Sequence, residues 1–438
     1  MLKRVAAGFG VMVLVVLAVG LGLVTASRMR APTAEQQAAL QLLEDSTPPA
    51  GSNAYPDLLL MTYDVPGSEV DAVAAAESER FNATPPGTAG FELQVPYERM
   101  PADPARAENC SWREPGCLDK VRSNRGSIAA RMDDQQALLQ RIAGLSRHGH
   151  YRSLMDLRID TMIPELQQLN ASTTHHALRF VDGDIEAGLA GVCGDALTWR
   201  RLTPNADSLI VSMVGAAIIE GSTQLFAEML ESLPAKHPLP AVCATAFAPP
   251  APGELSLCQA MRGEARMSAS HGELAMAEAA KGPALERAWQ RVVYDPGKTQ
   301  ALMAPSFAWA CSEQARESIE KDVPALRPRT EGRSWLRFEC AGNAAGCILA
   351  DIAAPAYRDY ALRLQDTGMV LRTMGTVLWI RERRAAGDVR TVAELVADQP
   401  GGWASASRPV QVVEAGAALQ VARFDEGRGK VLRLPLGN

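Results

Sequence analysis

The chain has 438 residues, of which 47% are hydrophobic, 21% charged and 5% aromatic. That is enough apolar content to bury one or two cores, and it excludes disorder along the whole length. With 44 basic against 50 acidic side chains the formal charge is −6, so no bulk positive field points to nucleic acid as a partner.

Lys3 and Arg4 precede residues 5–24, a run of twenty without a charge and rich in Val and Leu. As a helix rising about 1.5 Å per residue, the run spans about 30 Å, the thickness of a bilayer's hydrocarbon core. It predicts a cytoplasmic tail at 1–4 and a transmembrane anchor at 5–24. A cleaved secretion signal is the competing reading, because Val24 and Ala26 stand where small residues precede a cleavage site before Ser27. The anchor is preferred because signal cores usually hold about 7 to 15 apolar residues.

Flanking charge does not orient the anchor, since Lys3 and Arg4 on one side face Arg28 and Arg30 on the other. The cysteines do. Cys110, Cys117, Cys193, Cys243, Cys258, Cys311, Cys340 and Cys347 all follow the apolar run, and an even number suits an oxidising compartment. Seven lysines against thirty-seven arginines carry the codon signature of a GC-rich bacterial genome. The sequence therefore predicts a single-pass protein of a bacterial inner membrane with its body in the periplasm. Residues 1–26 hold two basic and no acidic groups, which leaves 42 basic and 50 acidic, or −8, beyond them. A body of that charge has no general attraction to anionic lipid.

Residues 25–126 predict a loop-rich linker with short helices. A helical pattern at 34–44 is followed by a break at Pro48, Pro49, Gly51 and Ser52, and an apolar run at 58–63 fits strand or helix. A helix is expected over 68–80, with Ser68 as its N-cap and Asp71 reaching back to it. Pro85, Pro86, Pro96, Pro101, Pro104 and Pro115 then leave few sustained patterns.

Residues 127–323 predict stacked antiparallel helical hairpins. Ile128, Met132, Leu138, Leu139, Ile142 and Leu145 recur at helical spacing through Arg147. A second helix is expected over 151–168, bent at Pro164. Asp184 caps a third reaching Leu202, Asn205 a fourth, and Ser222 opens a fifth ending near Leu233. Short connections force such neighbours to pack antiparallel. Trp199, Leu202 and Ala206 beside small Ala187 and Gly188 give the segment a pattern that resembles tetratricopeptide-type hairpins, without a recurring 34-residue period. The resemblance implies helix pairing and nothing about peptide binding. After Pro238, Pro240, Pro249, Pro250 and Pro252, further helices are expected at 255–280, 283–293 and 306–321.

Residues 324–438 predict loop chemistry to 347, then a long helix opened by Pro355. It ends at Gly387, with Arg381, Arg383 and Arg384 complementing its dipole. Thr391 and Glu394 form a capping-box signature. A small antiparallel sheet is expected from 410–414, 419–424 and 430–434. In outline, a long helix followed by strands resembles periplasmic pilin-like modules, although the anchor is far from that helix in sequence. The fold class is thus mainly α.

Cys110 with Cys117 and Cys340 with Cys347 share a separation of seven, and each would close an eight-residue loop worth about 2.5 kcal/mol in the chain-entropy model. Zinc sites and redox motifs place fewer residues between paired cysteines. Structural disulfides are therefore the expectation, with no metal and no cofactor. The other four fit Cys193 with Cys243 and Cys258 with Cys311, a connectivity that spacing alone leaves open.

His148, His150, His175 and His176 are expected in solvated loops. His271-Gly272-Glu273 lacks the second half of a zinc deaminase signature. Gly297-Lys298-Thr299 lacks the first glycine of a P-loop, whose place Val292 takes. Ser318 and Lys321 lack the downstream Lys-Thr-Gly of penicillin-binding enzymes. Trp112, Trp199, Trp289, Trp309, Trp335, Trp379 and Trp403 are spread singly, as core packing would have them. These features favour a helical binding or scaffolding module held near the membrane, with an envelope protein as partner. The alternative is a periplasmic hydrolase of envelope material, acting through carboxylates that no motif groups.

Overall fold

The computed structural model describes residues 2–44, 47, 49–87, 90–103, 105–325, 337–353 and 357–437. Pro48, Pro104, Trp335 and Pro355 lie outside the described residues. The architecture is mainly helical, with a small three-stranded antiparallel sheet near the C-terminus.

Helix α1 (Leu2–Met29) carries the uncharged run, and α2 (Ala34–Glu44) follows. Two helices are long and apolar enough to cross a membrane among the described residues: α1 over Gly10–Met29 and a later one, Leu209–Glu231. Burial separates them, because only 6% of the apolar window in α1 is covered by the rest of the chain, against 78% in the later helix. The later helix is a core element. The exposed α1 is the one that suits an anchor.

The next block surrounds a two-residue strand, β1 (Ser52–Asn53), paired in parallel with β2 (His148–His150). The apolar run left open between strand and helix forms α3 (Tyr55–Leu59), with Pro56 in its first turn, where a missing N–H costs nothing. Helix α4 (Val70–Ala83) starts two residues later than the Ser68 cap predicted. A turn bonds the Glu69 N–H to the Pro66 carbonyl and carries the chain past Ser68, so Glu69 takes the N-cap position. The stretch expected to be loop contains α5 (Cys117–Ser123). The single helix expected through Arg147 is two, α6 (Arg125–Asp134) and α7 (Gln136–Gly144), which break at Gln135, a buried side chain that donates to the Pro101 carbonyl at 3.3 Å.

The helix expected over 151–168 is absent. Tyr151 instead bridges to Ala206, its N–H donating to Asn205 and its carbonyl accepting from Asp207. Arg158 is buried, its guanidinium donating to the Thr84 carbonyl and lying over the Phe81 ring. These long-range bonds outcompete local helix formation, and regular α-helix resumes only at α8 (Asn170–Val181).

Helices α9 (Ile185–Leu202), α10 (Leu209–Glu231) and α11 (Ala241–Ala246) complete a stack with α8. Asp184 holds the N-cap position of α9, but its carboxylate pairs with Arg179. Ser208, not Asn205, caps α10 by accepting from the Val211 N–H; Asn205 is taken up by the Gly149 carbonyl. Helix α10 runs through Ser222 without the expected break. Here the small Gly221 and Ser222 are buried, and a Cβ at Gly221 would stand 2.7 Å from the Trp112 Cα.

Beyond the proline-rich break come α12 (Cys258–Ala280), α13 (Ala284–Val293) and α14 (Pro296–Ala308), then α15 (Glu313–Glu320) and α16 (Ala344–Ala353). The helix expected at 306–321 is really two, separated by a 3-10 turn at Trp309–Cys311, with Asp295 capping α14 and Ser312 capping α15. Helix α17 (Arg358–Ala385), α18 (Val392–Ala397) and strands β3 (Gln411–Val413), β4 (Ala418–Ala422) and β5 (Val431–Pro435) follow the sequence expectation closely. The Thr391–Glu394 capping box is formed.

Among the described residues two large apolar cores result, with a small cluster of Ala39, Ala304 and Ala308 beside them. The larger draws on residues from Ala54 to Phe247 and from Met369 to Leu436; the smaller gathers α12, α14, α15 and α16. Helix α17 joins them, with Leu364 in the smaller and Met374 in the larger. The cysteines form four bonded pairs, Cys110–Cys117, Cys193–Cys243, Cys258–Cys311 and Cys340–Cys347.

Candidate functional site

The last turns of α1 are built into the body. Ser27 is buried; its hydroxyl donates to the Glu339 carbonyl at 3.0 Å and accepts from the Gly342 N–H at 3.2 Å. The Arg28 guanidinium reaches the carbonyls of Gly342, Arg291 and Tyr294. Tyr294 in turn stands at one end of a cavity of about 360 Å³ between α2, α12 and α14.

Two close contacts border this cavity on α12, one to Tyr294 between α13 and α14 and one to Met303 on α14. A Cβ at Gly272 would collide with the Tyr294 hydroxyl, while Ser268 touches Met303 midway. Leu40, Leu43, Ala265, Ala269, Met303, Ala304 and Phe307 supply apolar walls, and Glu44, Arg262, Arg266 and Tyr294 the polar groups. Arg262 is engaged with the Leu42 carbonyl, closing the end of α2. Arg266 leans towards Asp207 at 3.4 Å. An apolar cavity with a few convergent polar groups is the usual form of a small-molecule site.

A second cavity, of about 640 Å³, is lined by polar groups including Arg99, Asp103, Asn109, Glu165 and Gln168. Much of that lining is occupied internally: Arg131 pairs with Asp103, and Arg99 with Glu165. A third, of about 250 Å³, lies between α7, α8 and α9. There Asp195 accepts from the Ser172 hydroxyl at 2.7 Å and lies 3.2 Å from His176 Nε2. Burial, with the neighbouring His176 and Arg179, lowers the His175 imidazole to about 4, so it is neutral at pH 7.

The expectation of solvated loop histidines is overturned: His148 and His150 are buried on β2, and His175 and His176 are half-buried on α8. A three-residue strand is too short to announce itself by alternation, and its centre must be glycine: a Cβ at Gly149 would meet the Ala50 carbonyl at 2.2 Å. His148 Nε2 lies 2.7 Å from the Asp57 carboxylate, and its Nδ1 lies 2.9 Å from the exposed Ser52 hydroxyl. Arg147 also donates to Asp57. Burial raises the Asp57 carboxyl, but the His148 hydrogen bond and the Arg147 charge outweigh it and hold the group below the ordinary carboxylate range. With Nε2 protonated towards Asp57, Nδ1 is the acceptor for the serine proton. Serine, base and orienting carboxylate thus stand in the relation that activates a hydroxyl nucleophile, with the ring nitrogens in the reverse of the chymotrypsin order.

The four histidines do not meet: His148 belongs to the β1–β2 pair, and His175 and His176 to α8. Among the described residues no group of three His, Cys, Asp or Glu side chains gathers to hold a metal. Three carboxylates raised by burial, Asp207, Glu228 and Glu264, are each spent on their own partners. Asp207 accepts from the Ser153 N–H, Glu228 from the N–H groups of Gly116 and Leu118, and Glu264 from the Tyr357 hydroxyl.

The two motif fragments are structural. Lys298 binds the Arg30 carbonyl and Thr299 sits in the first turns of α14, while Ser318 bonds the Gln314 carbonyl and Lys321 pairs with Glu317. Of the tryptophans, Trp199 and Trp309 are buried and Trp112, Trp379 and Trp403 half-buried. Trp289 departs from the expected core packing and is 63% exposed.

Comparison with known families, curated proteins and solved structures finds no match. The functional reading therefore rests on these sites alone.

Proposed function

We propose that the protein is an extracytoplasmic binding module, tethered to a bacterial inner membrane by α1, whose cavity between α2, α12 and α14 takes the apolar chain of an amphiphile. One observation carries this: Tyr294 lines the apolar cavity, and Arg28, near the end of the apolar α1, donates to its backbone carbonyl at 3.4 Å. An amphiphile drawn from the bilayer would find the cavity at the foot of the anchor. Burying eight methylenes there would gain about 6 kcal/mol before the costs of association. The four cysteine pairs fit an oxidising compartment. An envelope protein is the partner expected for the scaffold around the cavity, and crosslinking in intact cells would capture it.

Ala269→Trp tests the ligand reading by filling the cavity. Native mass spectrometry of the full chain in detergent should show a bound amphiphile that the variant loses while keeping its helical circular dichroism. Equal uptake of a fluorescent fatty acid by both proteins would sink the reading. A reporter fused after the C-terminus should be active only outside the cytoplasm.

A second reading, a hydrolase, is favoured by the Ser52–His148–Asp57 geometry. In it Ser52 Oγ bonds to the acyl carbon of an ester as its proton passes to His148 Nδ1. The ester C–O bond then breaks and the leaving alkoxide takes that proton. Water, deprotonated by the same imidazole, cleaves the acyl-serine to a carboxylic acid and restores the hydroxyl. A fluorophosphonate probe should label Ser52, and the label should vanish in Ser52→Ala and fall at least tenfold in His148→Gln. An unlabelled but folded wild-type protein would dispose of it.

A further inference from the structure

Helix α13 has no buried residue. Leu285 and Trp289, 83% and 63% exposed, stand four apart and so on one face, while Arg287 and Arg291 lie on the opposite face of the helix. A solvated helix in an oxidising aqueous compartment has no reason to present a leucine and a tryptophan side by side.

The neighbours of α13 share the property. Phe338, in the turn that receives Ser27, and Ile348 and Leu349, on α16, are all exposed. Helix α16 packs against both that turn and α13, and α1 packs against the turn. Arg28 ties α1 directly to the end of α13 through the Arg291 carbonyl. Three of the large apolar side chains that the body exposes therefore sit on the two elements bonded to α1, and two more on α16, which packs against both.

The height of that grip follows from helix geometry. The anchor expected at 5–24 ends at Val24, and Ser27 stands three residues beyond it, about 4.5 Å along the axis of an upright helix. The headgroup layer on each side of the hydrocarbon core is about 5–7 Å thick. The elements bonded to Ser27 and Arg28 accordingly lie within the headgroup layer once 5–24 spans the core.

We propose that this face of the body, α13 with the Phe338 turn and α16, rests in the interfacial layer of the same bilayer, as a second, non-spanning membrane contact. Trp289 occupies the depth at which tryptophan is enriched in membrane proteins, and Leu285 points deeper. Arg28, Arg30, Arg287 and Arg291 supply local positive charge for anionic headgroups, although the body as a whole is negative. The committed occupant of the face is lipid. The proposal rests on reading α1 as a retained anchor, and the test separates the two.

All eight native cysteines are paired, so an introduced thiol can be labelled alone. The full chain carrying Leu285→Cys, or Val389→Cys as an exposed control, is labelled with the polarity-sensitive dye NBD. It is then reconstituted into vesicles of phosphatidylethanolamine and phosphatidylglycerol. The label at 285 should emit to the blue of the label at 389, and a shallow spin-labelled lipid should quench it at least twofold more. Vesicle flotation with a water-like, unquenched label at 285 overturns this proposal and leaves the anchor standing. A blue-shifted label that lipid does not quench also overturns it, in favour of a protein occupant. Failure of the wild-type chain to float removes the anchor and this proposal together.

Discussion

Helices α10 and α13 handle apolar residues in opposite ways. Helix α10 is apolar on nearly every side, and 78% of its window is covered, Phe226 stacking on Phe247 at 4.9 Å within the larger core. Helix α13 has a narrower apolar stripe and buries no residue, leaving Leu285 and Trp289 exposed. Hydropathy alone ranks α10 as the membrane candidate. Burial reverses the order, because α10 finds its apolar partners within the chain and α13 leaves its own facing outward. Between these two helices, exposure rather than hydropathy marks the apolar surface that the chain leaves uncovered.

The comparison is broken or sharpened by substitutions on its two sides. Phe226→Ala should lower unfolding free energy by about 3–5 kcal/mol in chemical denaturation, the cost of emptying a packed aromatic site. A similar loss is expected for Arg408→Ala. Its guanidinium is buried against Asp322 and Asp366 and lies over the Phe424 ring, and removal takes the buried cation from Asp366, leaving Arg372 as the remaining cation on Asp322.

Replacing the Cys193–Cys243 pair by alanines should cost about 4 kcal/mol, from a 51-residue closed loop, against about 2.5 kcal/mol for Cys340–Cys347 beside the anchor. Equal losses would show that the two regions are coupled more tightly than their separate cores imply. Leu285→Ser should change stability in detergent by less than about 0.5 kcal/mol. A loss of several kilocalories would mean that α13 is packed and would abolish the contrast.

The contrast also has a pH dependence. His175, half-buried between α8 and α9, has a folded-state pKa of about 4, below the usual 6.5. The folded state therefore binds fewer protons, and stability should fall as pH drops from about 6.5 towards 4 and level off below that. His175→Gln should flatten part of this decline in melting temperature. An unchanged slope would place the acid sensitivity elsewhere.

Much of the fold was legible because its signals are local. Asp184, Thr391 with Glu394, and the alternation in 410–434 mark ends and strands within a few residues. What was illegible depends on distant partners. The stretch after Tyr151 reads as helix until Ala206 and Thr84 claim its backbone and its arginine. Ser222 looks like a start until Trp112 is seen against Gly221. Site residues were harder still: His148 and Asp57 are 91 positions apart, and the apolar cavity is lined from three helices and Tyr294, spread over residues 40–307. Trp289 was readable as one edge of an amphipathic helix, yet a tryptophan considered alone defaults to the core.

The Ser27 and Arg28 contacts have a mechanical consequence. A domain on a slack tether sweeps a hemisphere and can search for targets by swinging. Here the stem is fused to its load without a swivel, so tilt and spin pass undamped from helix to body. Anchored by α1 as proposed, such a molecule would meet its neighbours by drifting sideways in the plane of the membrane, always showing them the same flank at the same altitude.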